Sequence, residues 1–200
     1  MAILTANNQS LTEITSLPSV VTTGSMVLLA TETASSSDTL DFTSGIDDTY
    51  DEYVFKFIDI HVSAEPTQFS FNGSIDSGDN YNVSKTTTCF SAYHDEADTA
   101  TNVDYRTAED VQGTGFQMFQ QNWGTDNDQN GAGTIHLFKP SSTTFVKHFI
   151  ARSSNYHNAD YAIDVFVSGY FNTTSAIDAI QFKMSSGTID AGTIKMYGVS

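Results

Sequence analysis

The residues with the most suggestive chemistry are Asp126-Asn127-Asp128-Gln129-Asn130-Gly131. They match the front half of a calcium loop, D-x-[DN]-x-[DN]-G, in which oxygens at alternate positions wrap a hard cation and the glycine permits a sharp turn. The back half departs from the pattern. The position that should offer a bidentate Glu is Leu137, inside a run with strand periodicity. The segment therefore reads as a polar hairpin loop in which Asn130-Gly131 makes the turn. The competing reading is a calcium site built on Asp126, Asp128 and Asn130 and completed by a distant carboxylate such as Glu109 or Asp110.

Other reactive side chains lack the company that chemistry needs. The histidines, at 61, 94, 136, 148 and 157, are scattered; His136 and His148 are placed to face each other across a hairpin, but no third ligand stands at a zinc-like spacing. The carboxylates Asp47, Asp48, Asp51 and Glu52, and those of Asp95-Glu96-x-Asp98, sit among Ser and Thr and read as solvated loop charge rather than a glycosidase pair. Cys89 stands alone beside Phe90, which reads as a buried, inert thiol. No G-x-S-x-G elbow, P-loop or H-E-x-x-H occurs. Neither a catalytic residue nor a cofactor or metal is assigned. Trp123, after Phe116, Met118 and Phe119, is a core or subunit-interface aromatic or, alternatively, a sugar-stacking ring.

The elements that must position these residues are strands. Ile180, Phe182 and Met184 share one parity; so do Tyr161, Ile163, Val165 and Val167, and so do Ile135 and Leu137. Period two marks strands buried on one face. Between Tyr53 and Val62 the parity switches, with Phe55 and Phe57 on one face and Ile58, Ile60 and Val62 on the other, which predicts a bulge or a strand covered on both faces. Asn72-Gly73, Ser77-Gly78-Asp79-Asn80 and Asp190-Ala191-Gly192 punctuate the runs. About ten strands are expected, with at most a turn or two of helix in 95–110. Together these predict an all-β, antiparallel sandwich or barrel.

Composition bounds the function. The 200 residues carry 8 Lys+Arg against 24 Asp+Glu, a net charge of −16, which argues against binding nucleic acid. The longest apolar run, Met26 to Ala30, is too short to cross a bilayer, so no membrane partner is expected. The N-terminus lacks the features of a signal peptide. Residues 1–24 are rich in Thr, Ser and Asn with scattered apolar positions, and are expected to form an extended arm ahead of a single domain, 25–200.

Three stretches carry a resemblance. They are Leu28 to Thr43, the run Tyr50-x-x-Tyr53-x-Phe55-x-Phe57-x-x-Ile60, and the close from Tyr170 to Phe182 followed by Ser185 to Val199, ending Gly192-Thr193-Ile194-Lys195-Met196-Tyr197-Gly198. The order of these features resembles the jelly-roll virion structural proteins of tailed bacteriophages, of the marine phage type. The resemblance covers roughly 25–200; the acidic middle, about 94–130, is this chain's own. It implies an antiparallel jelly-roll β-sandwich, no catalytic residues, and a non-enzymatic role as a capsid decoration or cement protein. It also implies a homotrimer bound to the major capsid protein on the outer surface of a virion made in the host cytoplasm. The alternative is a tail or head fibre component that binds host glycan, with Trp123 and the Asp126 loop in the contact region.

Overall fold

The computed structural model describes residues 26–119 and 122–200, so the expected arm, 1–24, lies outside the described residues. The first strands in chain order are β1 (Met26–Thr33), β2 (Thr39–Phe42), β3 (Glu52–Val62), β4 (Phe69–Ser74), β5 (Lys85–Asp95), β6 (Thr101–Tyr105) and β7 (Gln112–Gly113). They are followed by β8 (Gln117–Met118), β9 (Gly131–Phe138), β10 (Lys147–His157), β11 (Tyr161–Phe171), β12 (Ala179–Met184) and β13 (Ile189–Val199). The described residues contain no helix. The segment 95–110 holds the β5–β6 hairpin and then a single turn, closed by the Glu109 and Asp110 amides donating to the Arg106 carbonyl. Asp95 draws the hairpin loop tight by accepting from the amides of Thr99 and Ala100.

All pairings are antiparallel. A nine-stranded sheet runs β1-β13-β3-β9-β10-β11-β5-β6, with β7 alongside β5, and a four-stranded sheet runs β2-β12-β4-β8. The two stack face to face as a β-sandwich. Aromatic rings interlock between them: Phe55 on β3 meets Phe182 on β12 at 5.7 Å, Phe57 on β3 meets Phe69 on β4 at 5.2 Å, and Phe71 on β4 meets Phe149 on β10 at 5.3 Å. Phe69 is the hub, since it also stacks on Phe119 and Phe182 and leans on Trp123. Offset and edge-on ring pairs each add ~0.5–1.5 kcal/mol beyond the area they bury.

The parity switch in β3 is a bulge. Phe55, Phe57, Ile60 and Val62 all lie in the core, while Ile58 is exposed and Asp59 takes φ +52°. The pairing with β9 skips from Phe57 to Ile60, so two residues absorb the change and return Ile60 to the inner face. The other parity expectations hold: Ile135, Leu137, Ile163, Val165, Val167, Ile180, Phe182 and Met184 are buried. In the closing hairpin Ile194 and Met196 are buried and Lys195 and Tyr197 face outward. Gly187 and Gly192 turn the chain at φ +69° and +115°, values that a side chain disfavours.

Candidate functional site

The Asp126 loop joins the segment around Trp123 to β9. Its turn is closed by the Gln129 amide donating to the Asp126 carbonyl, so the chain reverses over 126–129 and not at Asn130-Gly131. The Gln129 side chain, almost fully buried, accepts from the Asp126 amide and pins the loop from inside. Gly131 already belongs to β9. A Cβ there would lie 2.4 Å from the Trp123 ring, so the glycine makes room for the indole rather than for a turn. The carboxylate that faces the loop is Asp59 of the β3 bulge, which accepts from Asn130 Nδ2 at 3.2 Å. His61 Nε2 lies 3.2 Å from the Asp126 carbonyl. A notch of about 390 Å³ is lined by Asp59, His61, Asp128 and Asn130.

Glu109 and Asp110 do not reach this notch. Glu109 is fully buried on the segment after β6 and pairs with Arg106 at 3.2 Å; Asp110 accepts from the Tyr105 hydroxyl. Among the described residues, no group of three or more His, Cys, Asp or Glu side chains converges to hold a metal ion.

The histidines also go separate ways. His136 is registered opposite Ile150, and its ring lies 6.4 Å from that of Phe138. Its Nδ1 lies 2.5 Å from Glu52, while His148 rests on Tyr170. The acidic clusters serve the backbone. Asp47 accepts from the Thr49 amide and the Tyr53 hydroxyl, which hold its carboxyl below the usual range, and Asp51 pairs with Lys139. Asp95 is lowered likewise by the Thr99 hydroxyl and the Ala100 amide. Cys89 is buried and free, and burial pushes its thiol up to about 12, which removes it as a nucleophile near neutrality. Trp123 is 1% exposed, packed between Phe69 and Gly131. It presents no ring face to a sugar.

Sequence reasoning missed two buried lysines. Lys147 on β10 and Lys85 on β5 both register opposite Phe171 of β11, in one row on the inner face of the large sheet. Lys147 is saturated, donating to the carbonyls of Ser142, Phe145 and Thr173. Lys85 donates to one carbonyl, Gly115, and lies over the Phe171 ring. Burial lowers both amines, Lys85 to about 7. Strand parity carried the signal: Lys147 shares its face with Phe149 and Ala151, and Lys85 with Thr87 and Cys89.

An exposed concavity lies on the outer face of the large sheet. A trough of about 610 Å³ runs over β9, β10, β11 and β5, floored by Ala92, Ala132 and Ala162. Arg152 lines it and begins a ladder that continues beside it through Phe166, Phe90 and Tyr105, residues registered across four neighbouring strands. Phe166 and Phe90 stack at 4.8 Å, and the Arg152 guanidinium lies 4.7 Å above Phe166 while pairing with Asp164. A neighbouring concavity of about 430 Å³ is lined by Tyr156 and Glu96, and there the Tyr156 hydroxyl donates to Glu96. Comparisons with protein-family models, with curated proteins and with solved structures find no match for this chain.

Proposed function

We propose that the chain is a jelly-roll structural protein of a bacteriophage virion, a decoration or cement protein that binds the outer capsid shell and stabilises it non-covalently. The observation that carries this reading is strand order. Setting aside β5–β7 and β10–β11, the sheets run β1-β13-β3-β9 and β2-β12-β4-β8. This order matches the one expected of two Greek keys wound into a jelly roll, which supports the reading. The extra strands then widen one sheet without breaking the sandwich. The resemblance of the closing hairpin to virion proteins points the same way.

The role is mechanical. A ring-filled core between two antiparallel sheets gives a stiff body, and acidic loops keep it in water. Residues 1–24 act as the arm that reaches neighbouring capsid subunits, and the working unit is a homotrimer whose weak single contacts sum over the lattice. The test is to add the purified protein to shells that lack it and heat them. Coated shells should rupture at a higher temperature, and a truncation lacking 1–24 should fold yet fail to coat.

A second reading, a tail or head fibre component that binds a host-surface glycan, draws on the trough lined by Arg152, Ser154 and Asp164 and on the neighbouring concavity lined by Tyr156 and Glu96. Its concave floor and hydrogen-bonding rim suit a sugar better than the buried Trp123 does. Binding of soluble protein to a glycan array, abolished by Ala162→Trp in the trough floor, is its test.

A further inference from the structure

The exposed apolar side chains are not scattered. Nine large hydrophobic residues are exposed among those described, and seven of them lie on the outer face of the nine-stranded sheet. Met26 and Leu28 stand on β1, Ile58 on β3 and Ile150 on β10; Phe90, Val103 and Tyr105 follow on β5 and β6. Register fixes the shared face. Leu28 pairs with Tyr197, Tyr197 with Val54, Val54 with His136 and His136 with Ile150. Soluble monomers rarely leave so extended an apolar surface open to water.

The same face gathers positive charge in a molecule of net charge −16. Lys195, Lys56, Thr134 and Arg152 form one cross-strand row. Arg152 is neutralised by Asp164, but Lys56 and Lys195 make no ion pair among the described residues. The aromatic and aliphatic residues flank this row on both sides. Apolar anchors around a cationic strip describe a surface made for an acidic protein partner.

The area is sufficient. Eight strands in order span about 34 Å across, and strands of eight to eleven residues run roughly 30 Å, giving a face on the order of 1,000 Å². A standard interface needs about 800 Å² from each partner.

We infer that the outer face of the nine-stranded sheet docks an exposed acidic loop of a second copy of this chain, the one that carries Asp47 and Asp48, so that copies close head-to-side into a ring. This rests on the structural-protein reading above and deepens it by naming the surface used. A copy of the same chain is an acidic partner by composition. Face-to-face docking is disfavoured, because it would set Lys56, Lys195 and Arg152 of one copy against the same residues of the other. A contact between two different surfaces of identical subunits is heterologous, and it closes into a ring when the rotation permits. A three-fold rotation closes such a ring, which agrees with the proposed trimer.

Sedimentation equilibrium of the full chain at micromolar concentrations tests this. The expected result is a trimer or larger closed ring that dissociates as salt rises. The double variant Lys56→Glu/Lys195→Glu and the separate variant Ile150→Asp should each weaken association at least tenfold. All three side chains point to solvent, so the melting temperature of the isolated subunit should stay unchanged; that measurement separates lost docking from lost folding. A strictly monomeric wild type, a face-to-face dimer, or a ring that both variants leave intact overturns the inference. So does a monomer that binds polygalacturonate through this face. Shell coating is scored separately: a monomer that still coats shells refutes this surface and leaves the proposed function standing, while a ring that ignores shells does the reverse.

Discussion

Replacing Lys85 with Met should stabilise the protein. The amine is fully buried, has one hydrogen-bond acceptor and no carboxylate partner, and burial holds it at about 7 against an ordinary 10.5. The unfolded chain therefore binds the proton more tightly, and at pH 7 this favours unfolding by ~4 kcal/mol. Met fills a similar volume and keeps contact with Phe171, but leaves the Gly115 carbonyl without its donor, at a cost of ~1–3 kcal/mol. The net expectation is a gain of ~2 kcal/mol, or ~4–8 °C in Tm for a domain of this size. Between pH 7 and 10.5 the unfolded state holds more protons, so the wild type gains stability from this group as pH rises through that window. The variant lacks that gain but keeps the loss of the Gly115 hydrogen bond, so the two stability curves should converge and then cross toward high pH. Lys147 contributes with the same sign and Cys89 with the opposite sign above pH 9, but both are present in either protein and cancel in the difference. Urea titrations at a series of pH values provide the assay. A variant less stable than the wild type by more than 1 kcal/mol at pH 7, with parallel pH curves, would refute the reasoning.

Further outcomes follow from the core and the Asp126 loop. Phe69→Ala removes the ring that joins Phe57, Phe119, Trp123 and Phe182, and should cost ~3–5 kcal/mol in denaturant titrations. Gly131→Ala drives a methyl into the Trp123 ring, so ~1–3 kcal/mol should be lost and indole fluorescence should shift to the red. The Asp126 turn is held by hydrogen bonds with Gln129, His61 and Asp59, so a chelator should leave the melting temperature unchanged, and Gln129→Ala should lower it.

Much of the sandwich was legible because strand parity is local. Residues 161–167 and 179–184 alternate cleanly, and their buried and exposed faces follow. The β3 switch announced a bulge but not its position, since only pairing with β9 decides that Ile58 and Asp59 absorb the extra residue. The middle of the chain was harder. Thr101–Tyr105 shows no buried alternation because β6 is an edge strand, so its strand character comes from docking on β5. Gly131 looked like a turn residue, yet its missing side chain serves an indole eight residues upstream. The same tertiary packing hides Trp123, and it places Asp59 rather than Glu109 beside the Asp126 loop. Side chains on the outer face were visible one by one. Their assembly into a single cationic and apolar surface required the order of eight strands.

The central claim concerns where the protein works, and a density map of the intact particle tests it most directly. Many copies in rings on the outer capsid lattice, each seen as a two-sheet body, is the predicted result. A few copies confined to the tail, or none on the particle, would contradict it.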